Sequence, residues 1–304
     1  MEEKKEMDEG LFKSRSYLSC LNEGLKLPTR HILSSLIAGA VVMGLWGVCF
    51  NQITVALTRW MAASEPVVLS FPLFTLIILS VLSLLADSFY MGNVMTAVSR
   101  FATSGAWPAL RFGEAKREIF NASLRALTCT LVAVVVFSLL IVPVTLWLGA
   151  GNVWVTVVSY VLLLALGVPY CMVIMDYMLG ERRDFWCSLK RMKDGYQYWG
   201  AFFIILFCGG LIMGVLAAVS WLPAGILAYA GHASLMGVLE GDATDLPSYV
   251  PALVVFFFML ASVIANVFSW LTLFPLSYLY GSVEARKQEK ASFEEEERRL
   301  QGLQ

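Results

Sequence analysis

Residues 185–200 read FWCSLKRMKDGYQYWG, and two long apolar runs follow before the chain reaches Tyr278-Leu279-Tyr280-Gly281. Phe185, Leu189, Met192 and Tyr196 fall at i, i+4, i+7 and i+11, one face of a helix. Lys190, Arg191 and Lys193 lie between them. A helix with aromatic and apolar residues on one side and Lys/Arg on another settles at the headgroup level of a bilayer. The same plan occurs twice upstream: residues 17–27 read YLSCLNEGLKL and residues 107–117 read WPALRFGEAKR. Each sets an aromatic three or four residues ahead of a leucine (Tyr17/Leu21, Trp107/Leu110, Phe185/Leu189), with basic residues after it. Pro108 and Gly113 interrupt the middle copy.

The chain of 304 residues is 58% hydrophobic and 15% charged, against roughly 25% charged in a soluble domain. Crossing a bilayer takes about 20 apolar residues per helix. Residues 32–57, 67–86, 126–150, 153–175, 200–230 and 251–283 meet that length as predominantly apolar stretches. The first 31 residues are too polar for a secretory signal, and run 32–57 is too long for a signal core, so a retained helix is expected there. The fold expected is all-α: a polytopic membrane bundle of six transmembrane helices in three parallel pseudo-repeats, each an interfacial amphipathic helix plus a helical hairpin. Its boundaries fall at residues 1–92, 93–180 and 181–283, with a charged tail at 284–304.

Of the 22 basic residues, all but Arg59 lie before run 1, between runs 2 and 3, between runs 4 and 5, or in the tail. Cationic loops stay on the cytoplasmic side during insertion, which predicts a multi-pass protein of the cytoplasmic membrane with both termini inside. The even helices share a closing tetrad: Phe89-Tyr90-Met91-Gly92, Tyr177-Met178-Leu179-Gly180 and Tyr278-Leu279-Tyr280-Gly281. The aromatic fits the membrane–water belt, and the glycine predicts a helix C-terminus. Three such endings in register with three amphipathic starts predict internal triplication. Each unit enters and leaves on one side, so the copies are parallel and not inverted.

On these features residues 12–283 resemble hexahelical bacterial membrane proteins, relatives of the membrane domain fused to some glycerophosphodiester phosphodiesterases. The resemblance implies the six-span plan and a bacterial inner membrane. The chain has no soluble catalytic domain, so no phosphodiesterase residue carries over and no activity is implied.

Few residues offer chemistry. Asp87 and Asp176 stand just before two tetrads, and ionisable groups at membrane depth suggest a proton or cation path, or else an interfacial structural role. Ser262, Asn266 and Ser269 form a polar seam along run 6 that must face protein or water. It suits a substrate path or interhelical hydrogen bonding. Arg182, Arg183, Lys190, Arg191 and Lys193 suit anionic lipid headgroups, or merely set topology. Ala40 and Gly44 in run 1, and Gly210, Gly214 and Ala218 in run 5, form small-residue faces for helix packing within the bundle or in a homodimer. The loop around Glu240, Asp242 and Asp245 matches no cation template, with a short surface helix expected at 234–239. The tail is helix-prone and suits a cytoplasmic partner or a solvated, frayed helix.

No metal or other cofactor is expected: the six cysteines (Cys20, Cys49, Cys129, Cys171, Cys187, Cys208) show no CxxC pair, and His31 and His232 are the two histidines. The net charge of −1 sums local biases, and no nucleic-acid partner is expected. Three functions fit: a non-catalytic envelope, assembly or lipid-interacting scaffold; a transporter or permease component for a small solute or lipid; and, least supported, a membrane-embedded enzyme.

Overall fold

A computed structural model describes residues 11–26, 70–104, 112–149, 152–239, 247 and 249–301. Every regular element among them is a helix. We label these α1 (residues 17–26), α2 (Ser70–Ser104), α3 (Phe112–Leu148), α4 (Val153–Leu179), α5 (Phe185–Lys190), α6 (Met192–Gln197), α7 (Trp199–Leu239) and α8 (Val250–Gln301). Among the described residues four stretches are long and apolar enough to cross a membrane: Ser80–Ser104, Ala115–Leu148, Val153–Leu179 and Trp199–Leu227. Apolar side chains ring them on the outside, with Leu146 81% and Trp147 84% exposed, as a hydrocarbon solvent allows. Run 1, with Ala40, Gly44 and Cys49, lies outside the described residues. α8 carries run 6.

α4 shows how its sequence sets its shape. Asn152 caps its start, accepting from the Trp154 amide at 3.0 Å. Leu163–Gly167 forms a π-turn ahead of Pro169. Proline has no N–H to close the preceding turn, and the indole N–H of Trp199 donates instead to the Leu164 carbonyl at 3.0 Å. In a membrane such a substitute donor matters, because lipid supplies none. The Tyr170 hydroxyl donates to the Cys129 carbonyl at 2.9 Å and ties α4 to α3.

The tetrads differ from the expectation. Gly180 does end α4, in an extended conformation. Gly92 and Gly281, however, lie inside α2 and α8, which continue to Ser104 and Gln301. The boundaries at 92/93 and 283/284 thus fall within continuous helices. What these glycines provide is close approach. A Cβ at Gly92 would lie 2.3 Å from Ser123 Oγ of α3, and one at Gly281 would lie 2.3 Å from the Leu11 carbonyl oxygen. α7 likewise runs on through 234–239 with no separate surface helix there.

The short helices pack alongside the tetrad helices. α1 lies on α8: Gly24 sits against Pro275, where a Cβ would come within 2.5 Å of its backbone. Just before α1, the Arg15 amide donates to Ser282 Oγ at 2.9 Å, and that hydroxyl donates back to the Arg15 carbonyl at 3.0 Å. α5 and α6 lie on α4 in the same manner, Gly195 against the Pro169 carbonyl at a would-be 2.5 Å. The expected apolar face does not decide this contact. Ser188 and Gly195 are buried, Phe185, Leu189 and Met192 are half-buried, and Tyr196 is exposed. Small residues let the backbones touch, and a polar partner waits beneath.

Candidate functional site

That partner is Asp176. The Ser188 hydroxyl of α5 donates to its Oδ2 at 2.7 Å, and the Tyr280 hydroxyl of α8 donates to its Oδ1 at 3.0 Å. Arg191, in the break between α5 and α6, brings Nε within 3.8 Å of the same Oδ1. Its Nε is also 2.9 Å from Asp194 Oδ2, and its Nη2 donates to Glu284 of α8. Lys287 of α8 then pairs with Asp194. Three carboxylates and two cations thus bind α4, the α5–α6 segment and α8 together. Burial works against the Arg191 charge, but its hydrogen bond to Glu284 and the fields of Glu284, Asp176 and Asp194 outweigh that and hold the guanidinium above its ordinary range.

The clasp borders an open cleft of about 970 Å³. Its shape follows from helix lengths. α4 stops at Gly180, whereas α2 and α8 are 35 and 52 residues long. At about 1.5 Å per residue both exceed the roughly 30 Å hydrocarbon thickness by at least 20 Å. Ser99, Ala102 and Thr103 of α2 form one wall, and Tyr280, Glu284 and Gln288 of α8 another. Gly180, Glu181, Arg182 and Arg183 form the rim where α4 ends, and Phe12 approaches Tyr280 edge-on at 6.3 Å between ring centroids. Asp184 caps α5 through the Trp186 amide at 3.2 Å. Between cap and helix end Arg183 takes a positive φ of 48°.

The residues singled out in the sequence separate here. Asp176 lines the cleft; Asp87 lies elsewhere, on an exposed face of α2. Arg182, Arg183, Lys190 and Lys193 are exposed, while Arg191 is drawn into the clasp. Gly210, Gly214 and Ala218 are exposed on α7, and among the described residues a Cβ at either glycine meets no atom within 4 Å. Ser262, Asn266 and Ser269 lie along α8, and their side chains are outside the described residues, as are Glu240, Asp242 and Asp245. Ser188, Tyr280, Asp194, Glu284 and Lys287 joined the site unannounced. The hint the sequence offers is a hydroxyl, Ser188, within a basic amphipathic segment.

The described helices define a polytopic helical membrane protein. No family model, curated protein or solved structure matches the chain.

Proposed function

We propose that the chain is a non-catalytic integral protein of a bacterial cytoplasmic membrane, an envelope or assembly scaffold that works at anionic headgroups. The observation that carries this reading is the use made of Asp176. Its two oxygens accept from Ser188 and Tyr280 and face Arg191, so the acid that a transporter would load with a cation is engaged by the protein itself. Lys190, Lys193 and Arg182 stay exposed beside Trp186, itself 72% exposed, a pairing suited to the headgroup layer.

The proposal includes six spans, three parallel units and both termini in the cytoplasm. It is supported by the way α1 lies on α8 as α5–α6 lies on α4, each through a glycine against a proline backbone. In this reading copy one rests on the last helix, which would close three units into a ring about an axis along the membrane normal. The kinship to hexahelical bacterial proteins stays part of this reading, as does a cytoplasmic partner for the tail. α8 extends as an exposed helix from Gln288 to Gln301, braced by Glu295–Arg299 at 2.8 Å.

A second reading, a transporter component, draws on the cleft of about 970 Å³ beside Asp176. Proteoliposomes separate the two. The scaffold reading expects proton and cation leak no greater than in empty vesicles, and a less stable Asp176→Asn variant. A flux present in the wild type and lost in folded Asp176→Asn overturns it in favour of transport.

A further inference from the structure

A second cavity, of about 260 Å³, lies between α2, α3 and the end of α4. Among the described residues three guanidinium-bearing side chains line it, Arg100, Arg125 and Arg183, against one carboxylate, that of Glu118. Glu118 is committed to Arg100, with Oε2 2.9 Å from Nε. That leaves Arg125 and Arg183, among the described residues, as two further positive charges lining the same hollow. Like charges facing one hollow repel, and an anion seated between them relieves that repulsion.

A further feature points the same way. Arg183 Nη2 reaches Ser99 Oγ at 3.4 Å, a long contact that, among the described residues, leaves most of its donors unspent. Guanidinium forks match the oxygens of a phosphate group and bind it in bidentate fashion. The volume is below the roughly 300–1,000 Å³ of sites for drug-sized ligands, which suits a headgroup-sized anion.

We propose that this cavity binds a phosphate-class anion between Arg125 and Arg183, with Ser99 and Asn121 as neutral partners. The anion is either a lipid phosphate or a free phosphate or its ester. The inference goes beyond the scaffold reading and does not rest on it.

The test uses the full chain in phosphatidylcholine nanodiscs, titrated calorimetrically with inorganic phosphate. In parallel, nanodiscs containing phosphatidylglycerol are prepared, and lipid retained through transfer to a neutral detergent is read by native mass spectrometry. Saturable phosphate binding identifies the free anion; a retained phosphatidylglycerol identifies the headgroup; either supports the site. Arg125→Gln and Arg183→Gln should each weaken the binding at least about tenfold, and Arg298→Gln, exposed on the tail helix, less than about twofold. Removing one of two like charges relieves repulsion, so both variants should melt no lower than wild type without anion and lose the anion-induced rise in Tm. Should Arg125→Gln fail to fold, Arg183→Gln at the exposed turn decides alone. Binding of neither probe, or binding unaltered in the folded variants, overturns the proposal.

Discussion

At the tetrad end of the bundle Met172, Met175, Phe202, Phe274 and Leu279 are at most 1% exposed, whereas at the far end Leu146, Trp147, Val153 and Trp154, equally apolar, are 66% to 84% exposed. Apolar character therefore does not decide which residues are packed. Between membrane helices there is little hydrophobic drive, since lipid tails are as apolar as leucine, and association relies on close packing and hydrogen bonds. Both are concentrated at the tetrad end: glycines at 92, 195 and 281 against neighbouring backbones or side chains, and the clasp around Asp176. Among the described residues, the far halves of the helices are suited to a hydrocarbon environment and carry little that specifies a neighbour.

Substitutions at matched positions in the two regions can break that contrast. The largest effect is expected from glycine. Gly92→Leu forces a side chain into Ser123 and should cost about 3 kcal/mol in unfolding from mixed micelles. Gly210→Leu should stay within about 0.5 kcal/mol. Equal losses would mean that α7 packs as closely as α2.

Next comes the clasp. Asp176→Ala leaves the Tyr280 hydroxyl and part of the Arg191 charge without an acceptor, and should lower stability by about 2 kcal/mol in the same assay. A smaller loss, about 1 kcal/mol, is expected for Trp199→Phe, which strips the indole donor from the Leu164 carbonyl. Trp154→Phe at the far end should be close to neutral, and a reversal of that order would sink the contrast.

The subtlest difference concerns thiols. Cys20 is buried beneath α8, and burial pushes its thiol up, partly offset by a hydrogen bond with Ser282. Because the thiolate is the reacting form, a raised pKa means less of it near neutral pH and a rate that climbs as pH rises. Alkylation in mild detergent should find Cys20 slower than Cys187 of the cleft by about tenfold or more. Comparable rates would show that α1 does not stay docked.

Where the structure describes the apolar runs, they are the helices expected of them, because an apolar run of that length satisfies its own backbone in a bilayer by coiling. The tetrads were visible too, but a glycine inside a helix and one at its end look alike until the following residues are weighed. After Gly92 comes Asn93-Val94-Met95-Thr96, which continues a helix, whereas Gly180 is followed by the polar Glu181-Arg182-Arg183 and the cap Asp184. Asp176 was singled out from its depth. Its partner Tyr280 lies 104 positions away, and no local pattern links the two. Arg191 read as one more surface cation for the same reason: the acids that claim it, Asp176 and Glu284, come from other helices.

If the ionisable groups at the tetrad end bind one another, Arg191 and Glu284 must be energetically coupled. A double-mutant cycle between Arg191→Gln and Glu284→Gln, read by equilibrium unfolding in mixed micelles, tests this most directly. A clasp predicts a coupling of about 1–2 kcal/mol, with the double variant losing little more than either single one. Additivity within about 0.3 kcal/mol would contradict it.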